Sequence, residues 1–103
     1  MTAIAQEQRP GHQANIHKLF GAVADVKELD DGYKFRLSHT SEILMTAAEF
    51  IMLERLCCPF FNFRLDIEAE GGIWLSITGR EGVKPFIVAE IGEHLPVRIQ
   101  RTV

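Results

Sequence analysis

The chain has 103 residues, 47% of them hydrophobic and 24% charged, with a formal net charge of −3. That length and balance describe one globular domain with a single modest core. They leave no basic footprint for nucleic acid and no apolar run near the roughly 20 residues of a membrane span. Two adjacent cysteines make no disulfide framework of the secreted type, and Met1 to Gly11 carries no apolar stretch of the signal-peptide kind. A reducing cytoplasm is therefore the expected compartment.

Residues 1–12 read as a flexible N-terminal arm, since 6–11 are Gln-Glu-Gln-Arg-Pro-Gly and offer nothing to bury; the domain proper is expected over 13–103. Ile16, Leu19, Phe20 and Val23 have helical spacing and predict a short helix over about Gln13–Ala22. On this reading His12 and His17 precede or flank the core and face solvent. Asp25–Leu29 is a poorly alternating strand candidate, and Asp30-Asp31-Gly32 is a hairpin turn signal. Tyr33, Phe35 and Leu37 then alternate with Lys34 and Arg36, as a strand with one buried face does.

Thr46-Ala47-Ala48-Glu49 fits a capping box with Thr46 as N-cap, and Ser41 is a rival start. From either start the helix runs to about Cys57. Phe63, Leu65, Ile67 and Ala69 alternate with charged residues, Gly71-Gly72 turns the chain, and Ile73, Leu75 and Ile77 alternate with Trp74, Ser76 and Thr78. These form a second hairpin. Val83, Phe86, Ile87, Ile91 and Leu95 give an amphipathic helix with Pro85 in its first turn and Gly92 near its end. Val97 to Val103 alternates weakly and is a candidate edge strand. The order predicts an α+β two-layer sandwich. Its antiparallel sheet comes from two β-hairpins in a ββαββα core, with helices on one face and an extra N-terminal helix.

Chemistry concentrates where the helical period gives way to the strand period, in Glu54-Arg55-Leu56-Cys57-Cys58-Pro59-Phe60. Glu54 lies three and four positions before the two thiols, hence on the same helix face, and Ala47, Phe50 and Ile51 put it on or near the apolar stripe. A carboxylate there must be paired, protonated or bound to a metal. Pro59 disfavours helical geometry for Cys58, so Cys57 should end the helix and Cys58 should leave it as the more accessible thiol.

That string resembles the motif of a family of short bacterial proteins of uncharacterised function. Phe63, Trp74-Leu75, Thr78-Gly79, Glu81-Gly82, Asp31-Gly32-Tyr33-x-Phe35-Arg36 and Glu49-Phe50 extend the resemblance over about Asp31 to Phe86. Leu56 departs from it, standing where similar proteins carry a second basic residue. The resemblance implies a bacterial cytoplasmic source and supplies no activity.

Three readings of the site stand side by side. In the first, Glu54, Cys57 and Cys58 ligate a thiophilic ion such as Cu(I), Zn(II) or Hg(II), although a closed zinc site wants four ligands and Cys-x₂₋₄-Cys spacing. His39 is the one further ligand this reading recruits, and Arg55, Phe60 and Trp74 are candidate pocket residues. In the second, the thiols switch redox state, against the helix C-terminal dipole and through a strained adjacent disulfide. In the third, both cysteines are small buried hydrophobes of a non-catalytic module. This would be a homodimer with Trp74, on the polar parity of its strand, and the 97–103 tail at its interface. No Ser-His-Asp order, phosphate loop or paired-His motif appears. Catalysis would need Cys57 or Cys58 as nucleophile and His39 as base.

Overall fold

The computed structural model describes residues 6–96. After a 3-10 turn at Gln6–Gln8 come α1 (Arg9–Gly21), β1 (Asp25–Leu29), β2 (Gly32–Leu37), α2 (Ser41–Cys57), β3 (Asn62–Glu68), β4 (Gly72–Thr78) and α3 (Val83–Ile91). A final 3-10 turn covers Gly92–His94. The four strands form one antiparallel sheet in the order β1-β2-β4-β3, so each hairpin contributes one central and one edge strand. The α+β architecture with its ββαββα core and additional N-terminal helix is the one the alternation predicts. No helix among the described residues is long and apolar enough to cross a membrane. The candidate edge strand over 97–103 and residues 1–5 of the arm lie outside the described residues.

Register carries the two-layer logic. Tyr33 faces Ile77, Phe35 faces Leu75 and Leu37 faces Ile73 across β2 and β4, and all six are buried. Strand side chains alternate between faces, so this row looks onto the helices while Lys34, Arg36 and Trp74 look away. Onto the row pack Ile16, Leu19 and Phe20 of α1, Ala47 and Phe50 of α2, and Ile87 and Ile91 of α3, each essentially fully buried. At β3, an edge strand, Phe63 and Leu65 are half-buried and Ile67 is exposed. All seven phenylalanines of the chain form one line of ring contacts, Phe35 to Phe20 to Phe50 to Phe63 to Phe61 to Phe60 to Phe86. That line runs from the middle of the core to the surface.

Three local expectations give way to stronger local physics. The helix expected from Gln13 begins at Arg9, because Pro10 suits the first turn, where its missing N–H would have no helical partner. Residues 9–12 therefore belong to α1 and not to an arm. Thr46 is no N-cap: Thr40 is, its side chain accepting from Ile43 N at 3.1 Å, while Thr46 Oγ1 donates back to Glu42 O at 2.9 Å inside the helix. Glu49, freed from the box, accepts from Asn15 Nδ2 of α1. Phe86 leaves the α3 stripe, with Val83, Ile87 and Ile91 taking the buried side.

Candidate metal centre

Cys57 is the last residue of α2, and Cys58 caps it with φ −123° and ψ 72°, out of the helical frame as Pro59 requires. The cap is closed by Cys58 N donating to Glu54 O at 2.7 Å and Phe61 N donating to Cys58 O at 3.1 Å. This turn brings Cys58 back over the last helical turn. Its Sγ donates to Glu54 Oε2 at 3.7 Å. One carboxylate oxygen of Glu54 and the Sγ atoms of Cys57 and Cys58 all lie within 4.8 Å of one another, forming a group able to hold a metal ion. Ligands on a tetrahedral zinc with 2.3 Å sulfur bonds sit about 3.8 Å apart, so a contraction of at most about 1 Å would close the set.

Glu54 is 0% exposed, the one fully buried acidic side chain among the described residues. Its second oxygen, Oε1, is held by His12 Nε2 at 2.8 Å. His12 is itself buried, stacked on Phe50 at 5.8 Å between ring centroids, and its Nδ1 finds no hydrogen-bond partner among the described residues. A buried carboxylate is tolerated when its lone pairs are answered, and here Oε1 is answered by His12 and Oε2 by Cys58. From α3, the half-buried Glu90 approaches the same place. Burial, then the charge of Glu54, pushes its carboxyl above the ordinary range. Burial, then Glu54, then Cys57 push the Cys58 thiol up as well, so it holds its proton at neutral pH.

The expected accessibility of the thiols is reversed. Cys58 is buried and Cys57 half-buried, because leaving the helix turns Cys58 inward toward Glu54. The other candidates scatter. His39 is exposed and precedes α2, whose 17 residues span about 25 Å, so it reaches neither thiol as ligand or base. Arg55 points to solvent. Trp74 is on the far face of the sheet, with Lys27 Nζ 5.2 Å and Lys34 Nζ 4.9 Å from its ring centroid. Phe60 is 38% exposed, beside the site.

Two members escaped the sequence reading. His12 sits four residues before Ile16 and seven before Leu19, so it continues the buried stripe of α1, and this spacing was the available signal. Glu90 follows Ile87 by three on α3, but nothing in its neighbours distinguishes it from a solvated glutamate. Comparison with known proteins finds no matching family model, no similar curated protein and no similar solved structure.

Proposed function

We propose that the protein binds a thiophilic metal or metalloid ion, of the kind of Cu(I), Zn(II) or Hg(II), through Glu54, Cys57 and Cys58. The convergence of one carboxylate oxygen and two sulfurs within 4.8 Å carries this reading. Paired sulfurs select soft ions over calcium or magnesium, and three donors leave one tetrahedral position open. His12 supports it in the manner of a supporting shell, since it fixes the carboxylate through the oxygen that faces away from the thiols. Binding must release the Cys58 proton to solvent, because Glu54 Oε2, which accepts it in the metal-free protein, becomes a ligand itself.

Titrating the reduced protein with each of the three ions tests the reading. Wild type should take up one equivalent, seen as an added mass in native mass spectrometry, and Cys57→Ser/Cys58→Ser should lose at least a hundredfold in affinity. Equal binding by the double variant would end it.

A second reading, a homodimeric interaction module, is favoured by one face of α2. Met45, Met52 and Leu56 recur at helical spacing and are exposed at 70%, 48% and 38%. Two copies of α2 packed about a twofold axis would cover that stripe. Sedimentation at high micromolar concentration should then give a dimer that Met52→Lys dissociates. A monomeric wild type is the contrary result.

A further inference from the structure

We propose that the uncovered face of the sheet binds a single strand of nucleic acid, with one base stacked on Trp74 and the phosphates held by Lys27, Lys34 and Arg36. This face looks away from the helices, so the inference stands apart from the ion site.

The chain carries a net charge of −3, and no two of its lysines or arginines are adjacent. Register assembles what the sequence scatters. Lys27 of β1 is paired with Lys34 of β2, Lys34 with Ser76 of β4, and Ser76 with Arg64 of β3. One row of the sheet therefore carries three cations across three strand spacings, roughly 14 Å. In the next row Arg36 and Trp74 are direct cross-strand partners. All of these residues have the parity opposite to Tyr33, Phe35, Leu75 and Ile77, which the helices cover.

The cations are left unanswered within the protein. Like charges directly opposite in a sheet repel, yet Lys27 and Lys34 converge on one ring, with their Nζ atoms 5.2 Å and 4.9 Å from the Trp74 centroid. Among the described residues neither lysine forms an ion pair, and nor does Arg36. Asp25 is paired in register with Arg36, but its Oδ1 accepts from Val26 N at 2.9 Å. Only Arg64 meets a carboxylate, Asp66 at 3.3 Å, and so exposed a pair contributes little. An anion from outside would relieve the repulsion between the lysines.

The layout of the face selects the anion. Trp74 is its one aromatic residue and is half-buried at the centre of the sheet. Phosphates would draw the two ammonium groups off the indole, and a base would take their place, a contact open to any base. The basic row and the Trp74 row lie two residues apart along the strands, about 7 Å, which suits a phosphate and its own base. Asp25 and Asp66 stand at the two ends of the Trp74 row. A planar anionic surface would be pressed onto those carboxylates, whereas a single strand is narrow enough to follow the basic row beside them. An acidic peptide would leave the indole unused. A second copy seated here about a twofold axis would set the same cations against one another.

Trp74 is the single tryptophan of the chain, so its fluorescence reports on this face directly. In metal-free, reduced protein at about 50 mM salt, an oligothymidylate of roughly 12 nucleotides should bind with a micromolar Kd and quench that fluorescence. A duplex of the same length should bind more weakly, because its bases are stacked away from Trp74. Trp74→Ala should weaken oligothymidylate binding about tenfold, the worth of one stacked base. Lys34→Gln should weaken it as well and lower the slope of log Kd against log salt by about 0.7, as loss of one phosphate contact does. Lys18→Gln, which removes the same charge from the helix layer, should do neither. No quenching by oligothymidylate, equal effects of Lys18→Gln and Lys34→Gln, or undiminished binding by Trp74→Ala would each overturn the inference. Should Trp74→Ala not fold, the two lysine variants decide alone. Equal affinity for the duplex, for polyglutamate or for phosphatidylserine vesicles would overturn it too, by making the face a site for any polyanion.

Discussion

His12 Nε2 and Glu54 Oε1 lie 2.8 Å apart, joining the first turn of α1 to the last turn of α2 across 42 residues of chain. Both side chains are buried, so neither has water to fall back on. The same contact that fastens the N-terminal helix to the sandwich also aims the carboxylate at the thiols. Stability and site geometry are coupled through one hydrogen bond.

His12→Ala should therefore cost about 3 kcal/mol in urea unfolding, because it strands a buried carboxylate and opens a cavity against Phe50. His12→Phe/Glu54→Leu, which replaces both partners by apolar groups, should recover most of that loss while abolishing ion binding. A change under about 0.5 kcal/mol in His12→Ala would mean that the contact is not closed in solution.

The sheet was legible because its alternation is local. Tyr33, Phe35 and Leu37 against Lys34 and Arg36 can be read from adjacent residues, and so can Ile73, Leu75 and Ile77 against Trp74. Glu54, Cys57 and Cys58 were legible for the same reason, being neighbours on one helical turn. His12 and Glu90 reach the site from other helices, 42 and 36 residues away from Glu54 in the chain, and pattern reading carries no distances of that kind. Thr46-x-x-Glu49 misled because a capping box also satisfies a helix interior once Thr40 offers an earlier hydroxyl. Trp74 looked unpartnered because its partners, Lys27 and Lys34, are brought to it by the sheet.

Gly32 tests the central pairing. A Cβ at this position would fall 2.7 Å from Thr78 Cα and closer still to Ile77 O, both backbone atoms of β4 that cannot swing aside. Its backbone is not left-handed, so the requirement is space alone. Gly32→Ala should cost about 3 kcal/mol or prevent folding, whereas Gly11→Ala, with open space around it, should be neutral or stabilising. Thermal melts of the two variants side by side would show the contrast. Equal melting temperatures would contradict the register.

Glu90 should make stability fall as pH rises. Its folded carboxyl binds its proton more tightly than the ordinary value of 4.5. Above that pH the unfolded chain releases a proton that the folded chain still holds, so the contribution is present below 4.5 and lost as pH climbs through the folded value. Glu90→Gln should flatten that limb and gain less than about 1 kcal/mol at pH 7, because a half-buried carboxyl is partly screened by water. Denaturant midpoints at several pH values between 4 and 8 give the slope. An unchanged slope would place Glu90 in open solvent.

Cys57 should react before Cys58. A thiol reagent attacks thiolates, and Cys57 is half-buried at the helix end while Cys58 is buried and donates its proton to Glu54 Oε2. Burial and the Glu54 charge hold the Cys58 thiol above its ordinary range, so its labelling at neutral pH is limited by opening of the turn and accelerates as pH rises. In metal-free, reduced protein at pH 7, Cys57 should be modified at least tenfold faster, read by peptide mass mapping over time. Glu54→Gln removes the charge beside Cys58 and should narrow the gap if the fold holds, because the thiolate then forms more readily. Stoichiometric Hg(II) should protect both residues. Faster labelling of Cys58 would mean that the turn after α2 points its thiol outward, and the three-donor arrangement would fall with it.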